Sequence, residues 1–197
     1  AGLYGNVSLA KAKLLKTLPD HPGYRYLEAA EKSMNRATAL TSQLLTFSKG
    51  GVPLKETLSL GHLVEEVVSF NLSGSNVRPV ISQPDNLWLA FIDQGQIQQV
   101  LGNLTINANE AMPGGGELQI KLENAEILDN QLLGLDGGRY IRITLADKGI
   151  GITPEHLERI FEPYFTTKHT GNGLGLATVY SIIKKHGGHI SVASQLG

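Results

Sequence analysis

The sequence contains no cysteine, which excludes a disulfide scaffold, a thiolate zinc site and a cysteine nucleophile, and permits a reducing compartment. No apolar run approaches the roughly 18 residues that a membrane-crossing helix needs, and no signal peptide opens the chain. Charge is scarce as well: 17 basic and 18 acidic residues leave a formal net charge of −1. No basic patch stands out, so a nucleic-acid partner is not expected. What is present suffices for a folded protein. Hydrophobic residues make up 41% of the chain, which excludes wholesale disorder. A length of 197 residues leaves room for one full domain plus a smaller module. Glycine is the one excess, with 23 residues against a usual share of about 7%, and the reading turns on where those glycines fall.

The first fifty residues read as a helical hairpin. Leu3, Val7, Ala10 and Leu14 are spaced by four and three, forming one apolar stripe over residues 1–17. Pro19-Asp20-His21-Pro22-Gly23 breaks the helix. A second helix fits residues 24–48, with Leu27, Ala30, Met34, Ala37, Thr41 and Leu44 as its stripe. Two such narrow seams are completed equally well by packing on the chain's own domain or by a second copy, giving a dimeric four-helix bundle. Lys49 to Pro53 begins a linker.

Beyond it, strands and helices alternate. Strands are expected over 54–60, 77–81, 87–92, 117–127, 140–146 and 190–193, and helices over 61–71, 94–112, 154–159 and 174–186. Thr153 is a plausible cap for the third of these helices, with Pro154 at its first position. Because two strands follow one another without a helix, the pattern implies a mixed α/β layer structure rather than a parallel βαβ series. The fold class is therefore α+β: a hairpin (1–50) followed by a two-layer α/β sandwich (51–197).

Three local constellations carry chemistry. On the 94–112 helix, Ile97, Leu101, Leu104, Ala108 and Ala111 form a buried stripe. Asn103, Asn107 and Glu110 line up beside it at i, i+4 and i+7. Asparagine is a mediocre helix former, and its amide oxygen is a hard ligand suited to magnesium, which usually also takes phosphates and water. Next, Asp147-Lys148-Gly149-Ile150-Gly151-Ile152 follows a strand. An acid there can accept from a ligand amine while the glycines let a flat ring approach the backbone. Last, Gly171-Asn172-Gly173-Leu174-Gly175-Leu176-Ala177 opens a helix, where amide donors and the helix dipole suit an anion. Lys168 stands just before it, at the end of an aromatic and threonine-rich stretch, Phe161 to Lys168, fit for a mobile lid. The glycine spacing is neither a dinucleotide fingerprint nor a Walker loop. Taken singly, the three also read as solvated asparagines, a tight turn and a flexible loop.

In this order the three motifs resemble the histidine-kinase branch of the Bergerat-type ATPases, the group that includes gyrase, the MutL repair protein and heat-shock chaperone ATPases. Asn103 to Ala108 resembles the N box, Asp147 to Ile152 the G1 box, Phe161 to Lys168 the F box and Gly171 to Ala177 the G2 box. Gln43-Leu44-Leu45-Thr46-Phe47-Ser48 looks like the end of a second dimerisation helix. The likeness covers nearly the whole chain and is strongest to the cores of sensor kinases, often hybrid ones with PAS domains and a receiver.

The resemblance implies ATP and Mg2+ as cofactors. It makes Asn107 the magnesium ligand, with Asn103 helping. It makes Asp147 the acceptor of the adenine amine, and Gly149, Gly151 and Ile152 the wall of the adenine pocket. Thr167, Lys168 and the backbone at Gly171, Gly173, Leu174, Gly175 and Leu176 would hold the phosphates, so that Asn103, Asn107 and Lys168 serve γ-phosphoryl transfer. The implied partners are a second copy through the hairpin, a response-regulator receiver domain and upstream PAS-like sensor domains, with a cytoplasmic location for this module. In gyrase-like relatives the position of Asn103 is a glutamate that activates water; asparagine has no basic group for that role. The acceptor histidine is expected roughly two turns upstream of residue 1, because Gly2 to Asn6 resembles the stretch just downstream of such an acceptor. None of His21, His62, His156, His169, His186 or His189 has its neighbours, and each is expected at the surface. Glu110 stands where many such kinases have a phosphate-binding lysine, and the familiar Gly-Thr-x-Phe strand would come after Gly197. A GHKL ATPase or serine kinase, or a nucleotide-binding scaffold without transfer activity, are the alternatives.

Overall fold

A computed structural model describes residues 2–18, 21–34, 52–128, 135–168 and 171–197. The chain divides into two compact units, residues 1–48 and 49–197.

In the first unit, α1 spans Leu3–Thr17, and residues 23–34 form α2. The facing sides are partly polar. Glu31 on α2 accepts from Ser8 Oγ and from Lys11 Nζ of α1, both at 2.6 Å. Val7, Leu14, Leu27, Ala30 and Met34 are half-buried around this pair, whereas Leu3 and Ala10, which the stripe placed inward, are exposed. Sequence periodicity marks apolar faces but is blind to a lysine whose stem packs inward while its ammonium finds a carboxylate. The remainder of the expected second helix, with Ala37, Thr41 and Leu44, lies outside the described residues.

The second unit is the α+β body. Its elements are β1 (Glu56–Leu58), α3 (Leu60–Asn71), β2 (Val77–Ser82), β3 (Ala90–Ile92), α4 (Gln94–Ala111), β4 (Gly116–Ile127), β5 (Gly138–Ala146), α5 (Pro154–Leu157) and α6 (Gly175–Lys185). The main sheet has order β2-β4-β5. β2 runs parallel to β4, with Val77 opposite Gly116, and β4 runs antiparallel to β5, with Gln119 opposite Ala146 and Ile127 opposite Gly138. β1 and β3 form a separate antiparallel ribbon. The period-two alternation of β4 puts Leu118, Ile120 and Leu122 at about 1% exposure or less. The four-residue rhythm of α3 adds Val64 and Val68 to the same core, with Leu101 of α4 and Val179 and Ile182 of α6. The helices therefore cover one face of the sheet, while Gln119 and Lys121 point to the other, wet side.

One expected strand fails here. The strand at 190–193 does not form; residues 188–197 carry no ladder. Instead this segment lies along the loop after β5, where Ile152 N–H donates to Ser194 Oγ (2.9 Å) and Gly197 N–H to Ile150 O (3.2 Å). Thr153 does stand at the cap position of α5, but its hydroxyl makes no cap bond. That hydroxyl and Glu155's own backbone N–H serve the Glu155 carboxyl instead, and together hold it below the usual carboxylate range.

Candidate nucleotide pocket at the edge of α4

The start of α4 is pinned from three sides. Asp93 caps it through Gln96 N–H (3.0 Å), accepts from Leu54 N–H on its other oxygen (2.9 Å), and donates its own N–H to His186 Nε2 (3.0 Å). His186 follows α6 and presents Nδ1 to Ile182 O at 2.9 Å. It is half-buried and ties α4 to α6, so it is not the surface histidine the sequence suggested. His156 is half-buried too, with its ring 5.5 Å from that of Phe165. His21, His62 and His189 are exposed, and His169 lies outside the described residues.

With α4 and α6 so placed, the carboxamide row meets the glycine-rich loop. Asn103 Nδ2 donates to Gly175 O at the start of α6 (3.2 Å). One turn on, Asn107 Oδ1 accepts from Lys168 Nζ at 3.4 Å, and the same ammonium lies 2.5 Å from Glu110 Oε2. All four side chains are only partly covered, which leaves the row open to a ligand.

The loop after β5 joins the row at the far end of α4. Asp147 is exposed, and its Oδ1 accepts from Gly149 N–H (2.9 Å), so the tight-turn reading of this motif is realised too. Ile150 N–H bonds to Ala111 O (3.1 Å), and a Cβ on Gly149 would sit 2.7 Å from Ala111 Cβ and from its carbonyl. Gly151 has φ +72, and a Cβ there would fall on the Gln195 carbonyl. Ile152 is half-buried beside it. The glycines thus let the Asp147 loop press against both α4 and the C-terminal segment.

The lid segment is anchored at both ends. Tyr164 N–H donates to Gly173 O (2.9 Å). Gly173 has φ +66 with the Tyr164 backbone so close that a side chain would collide with it. Tyr164 itself is held at φ 67, an unusual conformation for a bulky residue. Lys168 N–H bonds to Thr166 Oγ1 (3.1 Å) and Gly171 N–H to Lys168 O (3.3 Å), while Thr167 is exposed. Leu174 is buried at the cap of α6, and Leu176 is half-buried in its first turn. Leu174 offers no side-chain cap to this turn, and its own N–H donates to Asn172 Oδ1 at 3.3 Å.

The donor set suits a hard divalent cation that arrives with its own oxygens. Asn107 already turns an amide oxygen toward a positive charge, the Lys168 ammonium that Glu110 also holds from one turn away. Among the described residues no three His, Asp or Glu side chains converge, so a cation here needs oxygens beyond these side chains.

Residues 92–197 match the model of the family described as histidine kinase-, DNA gyrase B-, and HSP90-like ATPases. The chain belongs to this family. Within the ATPase family, it is 36% identical over 183 residues to the sensor kinase CckA of Brucella abortus (strain 2308), covering 89% of this chain and 19% of that protein. It is 30% identical over 177 residues to the sensor histidine kinase ZraS of Escherichia coli (strain K12), covering 88% of this chain and 36% of the relative. The crystal structure of full-length ShkA in complex with AMPPNP superposes with a TM-score of 0.76 at 25% identity, covering 99% of this chain and 40% of that one. The chain thus spans well under half of each of these proteins. Among the described residues no helix is long and apolar enough to cross a membrane.

The sequence missed two features of the site. The Glu110–Lys168 contact joins residues 58 apart, a distance at which spacing carries no signal. The Asn103 bond to Gly175 O spans 72 residues and is equally invisible.

Proposed function

We propose that this chain is the dimerisation and ATP-binding core of a sensor histidine kinase, with residues 1–50 as the dimerisation hairpin and 51–197 as the catalytic domain. The observation that carries the reading is the Asn103–Asn107 row of α4, bonded at one end to the first residue of α6 and faced at the other by the lid lysine. Magnesium, when bound, supplies charge neutralisation at the phosphate oxygens.

The chain's own residues do the rest. Asn107 offers Oδ1 to the metal, and Asn103 keeps the α6 amides aimed at the same place. Asp147 accepts the adenine amine on the oxygen not used by Gly149. Gly149, Gly151 and Ile152 wall the purine. Thr167, Lys168 and the backbone from Gly171 to Leu176 bind the phosphates. Asn103 cannot remove a proton from water, so hydrolysis is poor and the phosphoryl group passes to a side-chain nucleophile. A histidine on the dimerisation helix is that nucleophile in this reading, with onward relay to the aspartate of a receiver domain. Upstream PAS-like sensor domains and a cytoplasmic location belong to the same reading. The exposed apolar residues of the hairpin, among them Leu3 and Leu9, support a homodimer.

Two experiments test this. Titration of Mg-AMPPNP into isotope-labelled protein should shift the amide signals of residues 103–111, 147–152 and 171–176; undisturbed signals there would remove the enzyme reading. ATP should leave acid-labile, base-stable phosphate on the full-length protein, whereas acid-stable phosphoserine on a partner would select the serine-kinase alternative.

A further inference from the structure

Glu110 has no part in the roles assigned above, yet it makes the shortest contact in the pocket. It lies one turn beyond Asn107 on α4, so both side chains project from one face. Both meet the same ammonium: Lys168 Nζ is 2.5 Å from Glu110 Oε2 and 3.4 Å from Asn107 Oδ1. An ammonium held between a carboxylate and a carboxamide oxygen fills the kind of place that a hard divalent cation takes. Two cations cannot share that oxygen without strong repulsion.

We propose that Glu110 is a positioning residue that latches the lid: its carboxylate holds Lys168 on Asn107 before nucleotide binds, so a metal–nucleotide complex binds as Lys168 exchanges this pair for phosphate oxygens. The inference rests on the nucleotide-binding reading above. The latch is light. The side chains of Lys168 and Glu110 remain 38% and 48% exposed, so water screens the pair and it tunes affinity rather than blocking the site. Lys168 is well placed for the exchange, because Thr166 and Gly171 bond its backbone and its long stem can carry the ammonium from one partner to the other.

The test is a double-mutant cycle read by calorimetric titration of Mg-AMPPNP into wild type, Glu110→Gln, Lys168→Met and the double variant. Glu110→Gln should bind about two- to fivefold more tightly than wild type, and this gain should vanish in the Lys168→Met background. An equal gain in both backgrounds would mean simple repulsion between Glu110 and the triphosphate, and would overturn the latch. So would unchanged or weaker binding by Glu110→Gln. Without nucleotide, amide hydrogen exchange at residues 166–168 and 171–175 should quicken in Glu110→Gln; unchanged exchange also counts against the latch. Failure of the folded wild-type chain to bind Mg-AMPPNP overturns the nucleotide reading, and the latch with it. Binding by wild type without coupling in the cycle overturns the latch alone.

Discussion

The two units of this chain treat their apolar surface in opposite ways. α1 buries no residue at all, and Leu3, Leu9 and Leu18 are 80%, 63% and 55% exposed. In the second unit Val64, Val68, Leu118 and Val179 are at 0%. The α/β body closes a core from its own sequence. The hairpin instead places a lysine–glutamate pair where its seam should be driest, and leaves leucines outside. Burial among the described residues of the hairpin is slight, and in the proposed reading a second copy adds the apolar surface that offsets its conformational entropy.

Core truncation should separate the units most. Leu118→Ala leaves a cavity under the sheet and should cost about 2–5 kcal/mol. The sole tryptophan, Trp88, reports on this directly, because it belongs to the same unit and stacks on Arg139 at 3.8 Å. Denaturant unfolding followed by its fluorescence should show the loss, while Leu14→Ala in the hairpin leaves that transition in place. A Trp88 transition equally sensitive to both changes would dissolve the distinction.

Gly173→Ala comes next. It forces a side chain into the left-handed region and against the Tyr164 backbone, at about 1–3 kcal/mol for the conformation alone. Because the clash lies in the lid, Mg-AMPPNP affinity should fall by more than tenfold, while the Trp88 transition shifts by no more than that strain. A large shift in stability with binding preserved would mean that this turn serves the core rather than the pocket.

The smallest effect concerns pH and sharpens the view of the hairpin. The bond from Lys11, helped by Ser8, holds the Glu31 carboxyl below its usual range. The stability this pair gives is therefore present above the ordinary carboxylate pKa of 4.5 and is lost as pH falls through the lowered native value. The bond to Glu31 raises Lys11 above 10.5, so the same pair is intact below that pH and fails as pH rises through the raised value. Backbone carbonyl shifts of residues 3–17 should report loosening at both extremes in wild type. In Glu31→Gln the acid limb should disappear; its persistence would assign the acid response to another group.

Local pattern was legible wherever one element decided it. The carboxamide row on α4, the alternation of β4 and the glycine loops could all be read from spacing, because helix and strand periods fix which side chains share a face. Contacts between distant segments could not. The parallel pairing of β2 with β4, the Asp93–His186 tie and the Lys168–Glu110 contact join residues far apart in sequence. The strand expected at 190–193 had the right alternation but finds no ladder, and the residues just after it, Ser194 and Gly197, bond to the loop at Ile150 to Ile152. Tyr164 at φ 67 is a further miss, since nothing in a tyrosine announces a left-handed backbone.

The claim on which everything functional depends is that Asn107 presents a ligand oxygen to a metal-bound nucleotide. Calorimetric titration of Mg-AMPPNP into Asn107→Ala, beside wild type at equal magnesium, addresses it directly. The account predicts that affinity falls at least tenfold with the Trp88 unfolding transition unmoved. Equal affinity in the two proteins would contradict it.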